Sequence, residues 1–282
     1  MGQAAKQLRV AGAAEMTAPR VISVTSGKGG VGKTNIVANL AVALAQRGQS
    51  VLVLDADLGL ANMDILLGLS PRYNVRHVLS GEKRLEEVVV LGPGGIRVLP
   101  ASSGVQELTQ LGEEQKLVLL NELDALEPAC DTLLIDTGAG ISPNVTYFNL
   151  AALDRIVVVT PEPTSITDAY ALIKVMATRH ATHSFKLLIN QVKGEREAQE
   201  VFAKLLRVVD RFIGEVSLEM LGWIPSDACM PRAVKRQQAV VEAFPDCAAS
   251  RAFARVAEAV LSSSGGAVDG NIKFFWRRLF GL

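Results

Sequence analysis

Short continuous apolar runs recur along the chain, at Val21–Val24, Ser50–Leu54, Ile96–Leu99, Thr132–Asp136, Arg155–Thr160, Phe185–Asn190 and Met220–Ile224. Runs of this length that do not alternate with polar residues are expected of parallel strands buried on both faces. Leu85–Val90 reads as a further strand. Between these runs the apolar spacing switches to the helical period. Ile36, Leu40, Ala43 and Leu44 share one face of a helix that closes at Gly48, and Tyr73–Gly81 reads as a helix-turn. Helices are expected at Glu113–Leu126, Ile166–Met176, Glu195–Phe212, Pro231–Gln238 and Ala248–Leu261. Thr164, Ser165 or Thr167 caps the second of these. The alternation predicts an α/β fold, a mostly parallel twisted sheet flanked by helices, in one domain over residues 21–261.

Two flanking segments break the pattern. Residues 1–20 form a polar, flexible arm with helical character over Gln3–Val10. Residues 262–270 open with serines and glycines and read as a linker. Beyond it, Ile272, Phe275, Trp276, Leu279 and Phe280 fall on one face of a helix over Asn271–Leu282, with Lys273, Arg277 and Arg278 beside them. A short aromatic, cationic amphipathic helix suits an anionic lipid interface, and it is too short to span one.

Composition narrows the setting. At 282 residues, 49% hydrophobic and 21% charged, the chain can bury a sizeable core. The formal net charge of zero gives no basic field, so nucleic acid is not expected as a partner. Cys130, Cys229 and Cys247 are scattered without a C-x-x-C pair, which suits a reducing cytosol. His180 and His183 lack an evident third metal ligand. No signal-peptide core or membrane-spanning run is visible. The expectation is a cytoplasmic protein that binds membranes peripherally and reversibly.

The chemistry lies first in Val21–Thr34, VISVTSGKGGVGKT. Gly27, Gly32, Lys33 and Thr34 satisfy G-x-x-x-x-G-K-[ST] between an apolar run and a helix, the context a P-loop NTPase requires. Glycines let backbone N–H groups curl around phosphate, and the helix N-terminus adds a positive dipole end. The ATP-binding candidates are therefore Gly27, Lys28, Gly29, Gly30, Val31, Gly32, Lys33, Thr34 and Asn35. Lys33 reaches the outer phosphates and Thr34 binds Mg²⁺. Lys28 is an extra loop lysine. With Lys33 already on that side, it is placed to reach a nucleotide held by a second copy of the chain.

Acidic residues follow at strand ends, where parallel sheets bind ligands. Asp55 and Asp57 lie on the same side of an extended segment. One can hold the metal's hydration shell while the other orients water. Asp136 ends an apolar run downstream of the loop and reads as a second metal ligand. Gly138 and Gly140 make a switch loop that senses the γ-phosphate. Asn190, at another strand end, can read an adenine edge through its amide.

The loop K-G-G-V-G-K-T resembles the deviant Walker A of the MinD/ParA ATPases. The stretches Asp55–Gly68, Leu69–Glu82, Leu99–Gly104 and Pro161–Tyr170 are similar to the FlhG (FleN, YlxH) family, the MinD-like regulators of flagellar number and placement. The resemblance spans Val21–Leu261 and extends to the C-terminal helix. It implies an ATP hydrolase with ATP and Mg²⁺, cycling through an ATP-bound homodimer in which Lys28 acts across the interface. It makes Lys28, Lys33 and Asp57 catalytic, Asp57 by positioning water. It makes Asn62 a switch residue at the dimer seam. Asn190 and the stretch Ile224-Pro225-Ser226-Asp227, through Pro225 and Asp227, bracket the base. Implied partners are a membrane surface, the FlhF GTPase and flagellar switch (C-ring) proteins. The family's D-Q-A-x-x-L-R activating motif matches Gln3–Arg9 fully in neither register, so the resemblance leaves open whether this arm stimulates a partner GTPase. A ParA-type DNA-partitioning ATPase would need a basic surface, and an iron–sulfur ATPase would need paired cysteines.

Overall fold

The computed structural model describes residues 20–57, 62–100 and 130–263, together with 114, 118, 121, 122 and 125. Its strands are β1 (Arg20–Ser26), β2 (Val51–Ala56), β3 (Val90–Leu91), β4 (Arg97–Leu99), β5 (Thr132–Ala139), β6 (Asp154–Val159), β7 (Ser184–Val192) and β8 (Ser217–Pro225). They form one sheet in the order β3-β4-β2-β5-β1-β6-β7-β8. Every pairing is parallel except β3 with β4. β1 lies between β5 and β6, so the chain moves outward on both sides of it. That reversal opens a crevice at the C-terminal strand ends, where α/β sheets take ligands.

The helices are α1 (Lys33–Ala45), α2 (Met63–Leu66), α3 (Val75–Leu79), α4 (Leu85–Val88), α5 (Pro143–Ala151), α6 (Pro163–His180), α7 (Glu195–Phe212), α8 (Cys229–Lys235), α9 (Val240–Ala243) and α10 (Ala248–Ser262). One face of the sheet buries α1 together with Ala252, Phe253 and Val256 of α10. The other is covered in two parts, one including Phe148 of α5, the other including Leu172 and Ile173 of α6 and Val201 and Leu205 of α7. α1 is buried along most of its length, from Ile36 to Leu44. The loop before it is thereby anchored to a helix buried along most of its length.

Several sequence expectations are corrected. Leu85–Val90 is not one strand: Leu85–Val88 is helical, and only Val90–Leu91 pairs. Leu85 and Val88, three apart, both turn inward, and the Glu87 carboxylate accepts the Arg84 N–H at 2.9 Å, closing a helical turn. The helix expected from Ile166 starts at Pro163, whose fixed φ suits a first helical position, and none of Thr164, Ser165 and Thr167 caps it. Ser165 Oγ instead accepts the Thr160 N–H at 3.0 Å, and Thr167 Oγ1 donates to the Pro163 carbonyl at 3.0 Å. α5 was not foreseen. Its start was nonetheless written in Ser142-Pro143, since Ser142 Oγ accepts the Val145 N–H at 3.4 Å.

Arg20, assigned by sequence to the arm, belongs to β1. Its Nε bonds Asp154 at 2.6 Å and its guanidinium also holds the Val260 carbonyl and Ser263 Oγ. Lys186 bonds the same carboxylate at 2.9 Å. These two cations overcome the burial that would raise the Asp154 pKa and hold it below the usual range. The expected helix at 113–126 is helical at 114, 118, 121 and 122 and bends at 125, its other positions lying outside the described residues. The expected arm before Arg20, the expected linker after Ser263, Leu58–Ala61 and the helix expected at Asn271–Leu282 also lie outside them. No helix among the described residues is long and apolar enough to cross a membrane.

Candidate functional site

The phosphate loop leaves β1 at Ser26 and enters α1 at Lys33. Gly27 sits so close to α6 that a Cβ would lie 2.1 Å from the Asp168 carbonyl group. Gly32, the residue before α1, has φ +92° and would place a Cβ 2.7 Å from Asn190 Nδ2. At these two positions the glycines are required by space and by backbone conformation. Val31 points its side chain into the core, which leaves only its backbone for a ligand.

Lys33 is buried, 7% exposed, and donates to Ser26 Oγ at 3.0 Å. Burial lowers its pKa, while Asp136 and Asp57 pull the other way. Asp55 and Asp136 are register partners on β2 and β5. Asp55 is fixed by the N–H groups of Asp57 at 3.2 Å and Met63 at 3.3 Å, yet burial pushes its pKa to about 6. Asp136 is 1% exposed, and neither carboxylate oxygen has a hydrogen-bond partner among the described residues. Burial first, then the neighbouring Asp55, pushes its pKa to about 8, against the pull of the Thr34 hydroxyl and Lys33. A buried, unpartnered carboxylate beside a second carboxylate and a threonine hydroxyl fits Mg²⁺, a hard cation that takes oxygen ligands.

The sign of the pH effect follows. A carboxyl whose pKa rises on folding contributes stability fully below its unfolded value, and that contribution is lost as pH climbs through the folded value. For Asp136 the window runs from 3.8 to about 8. The nucleotide-free protein should therefore lose on the order of 2 kcal/mol between about pH 6 and 8. Melting temperatures across that range check this: the wild type should fall, and Asp136→Asn should stay nearly flat.

A cavity of about 660 Å³ is lined by Gly29, Gly30, Gly32, Lys33, Thr34, Asn35, Asp57, Asn62, Ala139 and, on α2, Ile65 and Leu66. Asp57 lies against the chain at Gly138, where a Cβ would stand 3.5 Å from its Oδ1. A second cavity of about 430 Å³ shares Gly32, Asn35 and Val234 and adds Asn190, Gln191, Pro225, Ser226, Asp227 and Met230. The first has the charge for phosphates. The second is the more apolar and carries the residues expected around a base. Two expected base readers are partly engaged elsewhere. Asn190 Nδ2 donates to the Val31 carbonyl at 2.8 Å, so it braces the loop. The Asp227 oxygens accept the N–H groups of Cys229 and Ala249 at 2.8 and 3.0 Å.

Lys28 stands at the mouth and turns to its own chain. Its Nζ meets Glu162 at 2.5 Å and Thr164 Oγ1 at 2.9 Å. Sequence reasoning missed Glu162 as its partner and Ser26 as the partner of Lys33. Ser26 ends β1 and Glu162 immediately precedes α6, both beside the loop, a signal the topology makes readable. It also missed Met230 and Val234, which reach the cleft because α8 follows β8 directly. His180 and His183 are exposed and join no cluster of three ligating side chains among the described residues.

Residues 22–240 match the family described as the CobQ/CobB/MinD/ParA nucleotide binding domain. The chain is 47% identical over 261 residues to the antiactivator FleN of Pseudomonas aeruginosa, covering 92% of this chain and 93% of that protein. It is 33% identical over 264 residues to the flagellum site-determining protein YlxH of Helicobacter pylori, covering 92% and 89%. Among solved structures it is similar to the septum site-determining protein MinD of Pyrococcus horikoshii complexed with Mg-ADP. That likeness has a TM-score of 0.66 at 26% identity and covers 89% of this chain and 100% of that one.

Proposed function

This chain belongs to the CobQ/CobB/MinD/ParA family and is a FlhG-like ATPase of the MinD/ParA class that uses ATP and Mg²⁺, and from that premise we propose that it works as an ATP-timed switch in the control of flagellar number or placement. The observation that carries the reading is the convergence of Lys33, Asp57 and the buried Asp55–Asp136 pair on one cleft at the sheet's C-terminal edge.

The loop N–H groups and Lys33 bind the triphosphate. Thr34, Asp55 and Asp136 would hold Mg²⁺, which supplies positive charge beside the phosphates when bound. Asp57 accepts a hydrogen bond from the attacking water and aims it at the γ-phosphorus. The buried Lys33 ammonium stabilises charge that grows on the departing phosphate oxygens. Pro225 and Asp227 flank the base.

Pairing of two chains completes the site. Lys28 leaves Glu162 and Thr164 and turns to the nucleotide of the facing copy. Asn62 and the exposed Ile65, both lining the cleft, lie in the seam that closes. Each copy brings one amphipathic segment at Asn271–Leu282, and two together bind a surface that one holds weakly. Hydrolysis reopens the pair and releases the surface.

Deleting Asn271–Leu282 should abolish ATP-dependent co-sedimentation with phosphatidylglycerol vesicles and leave basal ATP hydrolysis within about twofold. Equal sedimentation of the truncated chain would remove the membrane assignment. Loss of the gene in its host should change the number or position of flagella counted by electron microscopy.

A further inference from the structure

The cysteines that look scattered in the sequence are not scattered in space. Asp227, Cys229 and Cys247 each offer one ligand atom, and these three atoms lie within 4.8 Å of one another. The fold brings them together because α8 begins at Cys229 immediately after β8, while Cys247 precedes the first residue of α10. Asp227 spans the gap. Its Oδ1 accepts the N–H of Cys229 and its Oδ2 the N–H of Ala249, so both cysteine-bearing segments are tied to one carboxylate. Cys247 Sγ accepts the Ser250 N–H at 3.3 Å and lies 3.2 Å from Ser250 Oγ. Ser250 Oγ is itself held at 2.7 Å by the Phe244 carbonyl. Hydrogen bonds of this kind orient sulfur ligands around metals. All three residues are partly exposed, so the cluster is open to loading from solvent.

Two sulfurs alone would suit either a disulfide or a cation. The carboxylate decides between them, because it contributes nothing to a disulfide and is an ordinary third ligand for a borderline-soft cation. Zinc takes thiolate at about 2.3 Å, which sets two thiolates on a tetrahedral ion roughly 3.8 Å apart. The three ligand atoms here lie no more than 4.8 Å apart.

We propose that Asp227, Cys229 and Cys247 form a binding site for a thiophilic divalent cation of the zinc class. Each cysteine releases its S–H proton to solvent as the metal–sulfur bond forms, the carboxylate supplies the third bond, and water takes the fourth position. The ion ties the start of α8 to the start of α10. Met230 and Val234 of α8 and Asp227 itself line the base-side cavity, so occupancy stiffens one wall of that cavity.

The test uses the full chain, reduced with a phosphine and free of nucleotide, so its result is independent of the ATPase reading. Added Co²⁺ should produce an intense near-ultraviolet sulfur-to-cobalt absorption at one equivalent, abolished by Zn²⁺. The band should vanish in Cys229→Ser and in Cys247→Ser and persist in Cys130→Ser. Asp227→Asn should weaken binding at least about tenfold. Iodoacetamide labelling of the unaltered chain, read by peptide mass spectrometry, needs no variant: one equivalent of Zn²⁺ should protect Cys229 and Cys247 together. Absence of the cobalt band, its survival in both serine variants, or equal labelling with and without Zn²⁺ would overturn the proposal.

Discussion

Replacing Lys33 with alanine weakens ATP binding by about 30- to 3,000-fold while the nucleotide-free protein keeps or gains stability. The first half follows from position. Lys33 Nζ is buried at the head of α1, 3.0 Å from Ser26 Oγ, inside the cavity that the loop glycines line. Removing one partner of a buried charge-assisted contact costs about 2–5 kcal/mol, or roughly 1.4 kcal/mol per decade of affinity. The second half follows from burial. Burial depresses the Lys33 pKa, so without phosphate the ammonium is held in a place that disfavours its charge. Asp136 and Asp57 offset that cost in part. Isothermal calorimetry with ATP and thermal melts without it separate the two halves. A variant that binds ATP normally would remove Lys33 from the phosphate site. One that binds poorly because it has unfolded would show a large fall in melting temperature without nucleotide, the opposite of what is expected here.

Replacing Asp57 with alanine should have the contrasting phenotype: ATP is bound, hydrolysis falls about 100- to 10,000-fold, and paired chains accumulate. Asp57 lines the phosphate cavity and packs against the switch loop at Gly138, whereas Asp55 and Asp136 lie deeper on adjacent strands. On the proposed mechanism the outer carboxylate orients the attacking water while the deeper pair would hold the metal. Size exclusion with light scattering, with ATP and with ADP, reads pairing. Phosphate release reads hydrolysis. The wild type should pair transiently with ATP and run as single chains with ADP, and Asp57→Ala should stay paired. Normal turnover in that variant would exclude Asp57 as the water-orienting group. Solitary chains at saturating ATP would break the link between occupancy and pairing.

How much of this site was readable before the fold was known differs residue by residue. Gly27, Lys33, Thr34 and Asp136 were legible because their chemistry is local: a loop between a strand and a helix, and an acid at the end of a buried run. Even the length of α7 was readable, since a strongly amphipathic surface helix carries its boundaries in its own periodicity. α5 was not, because its buried face carries Thr146 and Asn149 while Tyr147 and Leu150 stay partly exposed, which blurs the period. The roles of Asn190 and Asp227 were only half legible. Their positions at strand ends were visible, but their use as braces depended on backbone groups of Val31 and Ala249, 159 and 22 residues away.

The sequence by itself determined the buried parallel strands, the long helices and the phosphate-loop motif with acids at the strand ends that follow it, because each is set by neighbours a few positions apart. The tertiary structure alone decided what lies beside what. It put Asp55 next to Asp136, paired Lys28 with Glu162, and brought Cys247 to Asp227 and Cys229. The physical reason is that charge, burial and ligation act through space at a few ångströms. Chain separation carries no record of those distances until the parallel sheet sets its strand order.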